Sequence, residues 1–432
     1  MKILFILPSD NLYKYNGAIS RNVNYGPMTF ITLAALVPPG IKAEIEIIDE
    51  GVQKTDYEGK HYDIVGLTCV VSSAPRAYEL SKYFRDKGAY IIMGGAHPTS
   101  FPEEAKLHCD SLFLGFAEQT FPKFLRDFQE GKPEKLYVHD WDKPFSSPAP
   151  RRDLIPKKLY VSVPSVIANR GCMNKCEFCS IAQNFGNKNL TRPIGEVIDE
   201  IKGLKSKYIL FLDPSPTSNR EYALELFNAL IPLKKKWAGL CTSDIHKDPE
   251  LLDVLVRSGI MAFFVGFESL SQDSMSISGK STNRVDHYKD CVKTLHSNGI
   301  DVMGAFVLGF DGDTKDGLIR VPELIDELGI DLPRIAILTP YPGTRIFERL
   351  KSQGRLLNED WRNYDSQRVV FRPKNMTPEE LQHIYYDVYK RMYSKRRIIR
   401  RSARSRHKIM LSVFNGGFRK IVMDMEKYHP GD

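Results

Sequence analysis

Asn169-Arg170-Gly171-Cys172-Met173-Asn174-Lys175-Cys176-Glu177-Phe178-Cys179 follows a short apolar strand at 163–168 and spaces three cysteines as C-x3-C-x2-C. A tetrahedral zinc site closes with four ligands, and no fourth is evident here. A cubane iron–sulfur cluster that only carries electrons takes four cysteines. Three cysteines on a cubane leave one iron open to a substrate or cofactor, so the loop reads as chemistry. A structural zinc knuckle is the competing reading. The other cysteines, Cys69, Cys109, Cys241 and Cys291, are scattered, and the total of seven is odd. That pattern lacks a disulfide ladder and suits a reducing cytosol. The apolar run 3–7 stops at Pro8-Ser9-Asp10, too short for an export signal. No segment approaches the roughly 18 apolar residues that span a bilayer. A cytoplasmic chain is expected.

Outward from the loop, the pattern alternates between strand and helix. Strands are expected at 163–168, 208–213, 237–242, 261–268, 302–309 and 334–339, with helical spacing at 194–204, 222–230, 249–258 and 288–298. Six βα units in series imply a partial (β/α)6 barrel with its site at the strand carboxyl ends. Upstream, strands at 2–8, 43–49, 63–71, 90–94 and 111–114 alternate with helices at 74–84 and 118–128. That is an α/β, doubly wound, Rossmann-like sheet whose ligand crevice lies beyond the strand carboxyl ends. Those ends read Pro8-Ser9-Asp10, Thr68 to Ser73, Gly94 to Pro98 and Gly115 to Glu118. Small and hydroxyl residues suit a broad, flat cofactor; they also make ordinary βα turns. Five prolines between Gly131 and Tyr160 suggest a linker. The expected domains are 1–131, a linker at 132–160, a core at 161–345 and a mainly helical extension at 346–432. In that extension Thr377-Pro378-Glu379-Glu380 forms a capping box before a helix with Leu381, Ile384, Tyr385, Val388 and Met392 on one face.

The cysteine loop opening six βα units resembles the radical S-adenosylmethionine (SAM) enzymes. The first domain resembles the cobalamin-binding domain that one branch of them carries. The matching phrases are Asp63-Ile-Val-Gly-Leu-Thr, Met93-Gly-Gly-Ala-His-Pro-Thr and the run 109–118, then Val265-Gly-Phe-Glu-Ser269, the run 304–311, Leu338-Thr-Pro-Tyr-Pro-Gly-Thr344 and 361–375. The resemblance implies a [4Fe–4S] cluster on Cys172, Cys176 and Cys179, with the open iron chelating SAM. Reductive cleavage would give a 5′-deoxyadenosyl radical, which removes hydrogen from an unactivated carbon. It further implies SAM contacts from Phe178, Asp213, Glu268, Ser269, Gly304 and Gly309. Phe178 would pack near the adenine, Glu268 would accept from the ribose hydroxyls, and the glycines would admit the adenine closely. An ion-paired carboxylate is the alternative for Glu268. Cobalamin contacts would come from Thr68, Ser72, Ser73, Gly94, Gly95, His97, Gly115 and Glu118, although a turn histidine without cobalt contact is the plainer reading of His97.

Two features depart from the family. The second strand ends Asp213-Pro214-Ser215-Pro216 instead of in paired acids. The loop at 9–18 has no histidine and lacks an Asp-x-His-x-x-Gly cobalt-ligand motif. The reaction expected is methylation of an unactivated carbon in a small-molecule or lipid-like substrate, with an external electron donor such as flavodoxin or ferredoxin. An oxidative or ring-forming reaction and a non-catalytic iron–sulfur or corrinoid carrier are the alternatives. Methylthiolation of RNA is disfavoured, because only Cys69 and Cys109 are available for a second cysteine set.

Charge is localised. Residues 390–420 carry twelve Lys and Arg and no Asp or Glu, leaving 49 basic against 53 acidic residues elsewhere. Within it, Lys395, Arg396, Arg397, Arg400, Arg401, Arg404, Arg406 and Lys408 alternate with Ile398, Ile399, Ile409 and Met410. Peripheral contact with an anionic membrane and a plain solvated face are the leading readings. Nucleic acid ranks third.

Overall fold

Two parallel sheets, each made from strands of nearly unbroken apolar sequence, organise the chain. The structure is a computed structural model and describes residues 1–9, 26–160, 163–280 and 282–428. The loop at 10–18, with its missing histidine, lies outside the described residues. In the first sheet β1 (Lys2–Leu7), β2 (Glu44–Asp49), β3 (Ile64–Thr68), β4 (Tyr90–Gly94), β5 (Ser111–Leu114) and β6 (Leu136–Val138) lie in the order β2-β1-β3-β4-β5-β6. Every pair is parallel. Helices cover both faces, so Ile3, Leu4, Phe5 and Ile6 are all fully buried and the strand cannot alternate. Winding reverses at β1, which places the crevice between the ends of β1 and β3.

The second sheet runs β7 (Ser165–Val166), β10 (Tyr208–Phe211), β11 (Lys236–Cys241), β12 (Ile260–Glu268), β13 (Asp301–Leu308) and β14 (Leu332–Ile337), parallel and in chain order. Such sequential winding makes the partial barrel. A short antiparallel hairpin, β8 (Asn169–Gly171) and β9 (Asn189–Thr191), interrupts it after the first strand. The cysteine loop leaves this hairpin directly. Gly171 has φ 81°, and a Cβ there would meet the Lys188 carbonyl at 2.1 Å, so only glycine can precede Cys172.

Two segments differ from their sequence pattern. The proline-rich stretch expected as a linker supplies β6, whose Tyr137 is buried against Phe113. Three residues are too few for periodicity to show. The basic tail folds as two helices, Lys395–Arg404 and Lys408–Tyr428, held to the barrel by acids that sequence left far away. Arg397 bonds Glu323 and Asp326, and Arg401 is fully buried beneath Tyr393 with Nη2 donating to Asn415. Ser405 and His407 both engage Asp301. The outward face keeps Lys395, Arg396, Arg400, Arg406 and Lys408 exposed. The capping box at Thr377 and Glu380 forms, and its five apolar residues are buried.

Glu104 joins the first sheet to the C-terminal extension. It accepts from Tyr78 Oη at 2.7 Å, His97 Nε2 at 3.2 Å and Trp361 Nε1 at 3.1 Å. Burial works to raise its pKa, but these hydrogen bonds, His97 first, outweigh it and hold the carboxyl down at about 2. A depressed folded pKa means stability present above the ordinary carboxylate range and lost as pH falls toward 2. Glu104→Gln should lower the urea midpoint at pH 7 and flatten its decline between about pH 5 and pH 2. An unchanged acid limb would remove Glu104 from this role.

Candidate active site

The cysteine loop is tied from two sides. The Glu177 amide donates to Ser278 O at 3.0 Å, and the Ile346 amide donates to Glu177 O at 3.2 Å. Cys176 is buried while Cys172 and Cys179 are half-buried. Burial pushes the Cys176 thiol up to about 12 and raises Cys179 as well, so both are protonated thiols at neutral pH until a bound metal takes the place of the proton. Among the described residues no three His, Cys, Asp or Glu side chains converge on a single ion. The three free cysteines of this one loop are the donor chemistry that an iron–sulfur cluster takes.

Glu268 stands at the end of β12, where the pairing to β13 slips by one residue and its own φ is 64°. A non-glycine residue in that region is strained and needs outside support. Lys280 provides it. The ammonium meets Glu268 Oε1 at 2.7 Å and Gly266 O at 2.7 Å. Burial works to lower the Lys280 pKa, but Glu268 and then the cysteines raise it, so the buried ammonium stays charged. Asn283 Nδ2 donates to Gly266 O and Phe267 O, both at 2.8 Å, and holds the bulge. A Cβ at Gly266 would lie 2.4 Å from Glu268 Oε1 and 2.7 Å from Lys280 Nζ, so a side chain there would displace the pair from its present position. One cation thus lies beside both the strand-end carboxylate and the thiols, where it complements a thiolate-bound cluster. Lys280 and Asn283 were not legible in advance. The only local signal was Gly279-Lys280 closing a short helix.

The other expected SAM residues are placed unequally. Phe178 meets Phe310 edge-on at 5.6 Å. Asp213 has no exposed surface; its Oδ1 accepts the amides of Ala168 (2.8 Å) and Asn169. It fixes the exit into the cysteine hairpin and has no open path to a cofactor. Its pKa is raised to about 7, burial outweighing those amide bonds. The Ser269 hydroxyl accepts its own turn's Ser271 amide. Gly304 faces outward, where a Cβ would meet Ile330 and Phe306 at 3.0 Å. Gly309 faces Leu381 and Phe371 of the C-terminal extension. The close approach both glycines permit is therefore protein packing.

Above the barrel, the strand ends of the first sheet and the lumen of the second line one cavity of about 1070 Å³. Thr68, Ser73, Gly94, Gly95, Gly115 and Glu118 line it. Small side chains leave width for a flat macrocycle, although Gly95 also answers to crowding by Thr68 and Cys69. Ser72 and His97 are not among the lining residues. Ser72 is buried, and His97, wholly buried, contacts Tyr78, Glu104 and Trp361 between the domains. Glu118 is engaged by Arg170, with Nη2 2.6 Å from Oε1, while the guanidinium lies 4.8 Å over Phe116 and 5.6 Å over Phe145. This pair joins the first sheet to the residue two before Cys172. Glu118→Gln should cost about 1–2 kcal/mol of stability, because the half-buried Arg170 loses the anion that faces it. Urea unfolding will measure it; a loss well under 1 kcal/mol would make Glu118 a cofactor contact instead of a brace.

Comparison with known proteins agrees with this geometry. Residues 166–325 match the Radical SAM superfamily, and residues 344–420 match a domain of unknown function, DUF4070. The chain is 28% identical over 400 residues to the bacteriochlorophyllide d C-12(1)-methyltransferase of Chlorobaculum tepidum, covering 89% of this chain and 85% of that protein. The fold is similar to the cobalamin-dependent SAM radical enzyme OxsB with aqua-cobalamin bound, with TM-score 0.66 and 16% identity over 99% of this chain and 72% of that one. It is also similar to the radical SAM methyltransferase TsrM from Kitasatospora setae with cobalamin and a [4Fe–4S] cluster bound, with TM-score 0.63 and 15% identity over 82% and 78%. With three cysteines at the mouth of a parallel partial barrel beneath a doubly wound sheet, the chain carries a radical SAM domain at residues 166–325 and shares its fold with cobalamin-dependent radical SAM enzymes.

Proposed function

We propose that the chain methylates an unactivated carbon of a small, largely apolar molecule, using a [4Fe–4S] cluster, SAM and cobalamin. The observation that carries this reading is the single cavity shared by the strand ends of the first sheet and the lumen of the barrel. When bound, the cluster and SAM supply the radical, and cobalamin supplies the transferable methyl group. Cys172, Cys176 and Cys179 would hold the cluster, with Lys280 balancing its charge. Glu268 is positioned for the ribose: Lys280 takes Oε1, and no described residue bonds Oε2. The Glu268–Lys280 pair is orientated before any ligand arrives, which reduces the ordering cost of binding. Phe178 and Phe310 form an aromatic wall near the loop. Thr68, Ser73, Gly94, Gly95 and Gly115 would border the corrin, and Arg170 with Glu118 would hold the sheet above the radical centre. An external reductant completes the system.

Anaerobic reconstitution with iron, sulfide and hydroxocobalamin should give about four irons per chain and a retained corrin spectrum. Reductant should then yield 5′-deoxyadenosine, and Cys176→Ala should abolish it. Deoxyadenosine from the variant would defeat the cluster assignment, and cobalamin lost on gel filtration would defeat the methyl-carrier role.

The C-terminal helices support peripheral contact with anionic lipid. Ile399, Ile409 and Val413 are 68%, 84% and 67% exposed, with Lys395, Arg396, Arg400 and Lys408 exposed around them. Among the described residues no helix is long and apolar enough to cross a membrane. Apolar insertion and charge attraction act together at such a surface. The double variant Ile409→Ser, Val413→Ser should reduce co-sedimentation with phosphatidylserine vesicles at least threefold. Equal sedimentation of variant and parent would dismiss the contact.

A further inference from the structure

Below the cysteine rim the barrel is hollow, and most of its lining is apolar, with Lys236, Asp301, Asp331 and Arg334 at or near the strand starts. Leu210, Ala238, Leu240, Ala262, Phe264 and Met303 all point away from the outer helices and line the cavity. Each is half-buried, whereas the alternating Trp237, Phe263 and Val302 are fully packed beneath the helices. A strand buried against side chains on both faces would show no such alternation. The half-exposure is therefore inward, toward space that no described side chain fills. Apolar surface held open to water is unfavourable, and a cavity so lined prefers an apolar occupant.

The lumen also has a floor. Met410, Phe414, Phe418 and Ile421 lie on one face of the helix Lys408–Tyr428 and line the same cavity from below. Arg334, low on β14, lies 4.4 Å over the Phe418 ring and fastens that face. Asn415 Nδ2 donates to Asp331 O at 3.2 Å and fixes the helix at the barrel's lower edge. From Ala262 to Glu268 the strand rises about 20 Å, which sets the depth between floor and rim.

We propose that this lumen receives the apolar body of the substrate, with its reacting carbon at the level of Glu268 and its far end against Met410, Phe414 and Phe418. The ligand class is an extended, predominantly hydrocarbon small molecule. Ala238 and Ala262 set the width, and the closing helix sets the length. The inference rests on the barrel rim being the reaction site, but occupancy of the lumen can be read without turnover.

The test uses the full chain after cluster reconstitution and the neutral fluorophore N-phenyl-1-naphthylamine. Its fluorescence should rise saturably, and excess 1-hexadecanol should displace it. Ala238→Trp and Ala262→Phe, which fill the lumen, should each weaken binding at least tenfold with iron content and far-ultraviolet circular dichroism unchanged. Ile409→Ser, on the outward side of the closing helix, should bind as the parent does. If neither filled variant folds, amide exchange decides: residues 408–421 of the parent should exchange more slowly with the probe bound. Parent-like affinity in both filled variants, unchanged exchange, or displacement of the probe by hydroxocobalamin would each overturn the proposal. Cobalamin retention and deoxyadenosine formation are separate measurements, so their failure would defeat the reaction and leave the lumen result standing.

Discussion

The pair of buried Glu118 and half-buried Arg170 is the contact on which the geometry between the two sheets turns. Each sheet is parallel, so each presents all its carboxyl ends on one edge. Two such edges could pack in many relative positions. A guanidinium lying over the adjacent Phe116 and Phe145 rings and 2.6 Å from a buried carboxylate restricts them, because other positions would leave that carboxylate without its partner. Arg170 belongs to the hairpin that ends in Cys172. Securing the sheets therefore also sets where the first cysteine stands beneath the upper crevice. Glu104 repeats the device further out, through Trp361 of the extension.

A second constraint lies at the end of β12. Glu268 occupies a left-handed backbone conformation, which the chain would avoid without compensation. Lys280, Asn283 and the missing side chain at Gly266 supply that compensation together. The carboxylate is consequently rigid, half satisfied and turned toward the barrel mouth. Removing water from a buried ammonium is costly unless it is paired. Lys280 is paired on one side by Glu268 and on the other faces the thiols, so the same charge steadies the strand end and the cysteine loop.

Much of this was legible along the chain, for reasons particular to each element. The cysteine spacing is local, and the five longer barrel strands carry apolar runs ended by turn residues. The capping box at Thr377 and Glu380 needs only four residues. The failures are also particular. β6 is three residues long and lies among prolines. Gly304 and Gly309 carry the right residue type, but which way their open sides face depends on the neighbouring helices. Asp213 reads as a strand-end acid open to a ligand, yet the returning hairpin buries it against two amides. Arg397 and Arg401 looked like parts of a solvated basic run; Glu323, Asp326 and Asn415 give them partners.

Sequence alone therefore set the chemistry of the cysteine loop and the two wound sheets, since spacing and hydrophobic period act within a few residues. Tertiary structure decided what faces what. It brought Lys280 to Glu268, Arg170 to Glu118 and the closing helix to the floor of the barrel. Those pairings join residues from separate elements and, for the floor, residues 84 positions apart. Their energies come from shared burial, which no local pattern of residues can express.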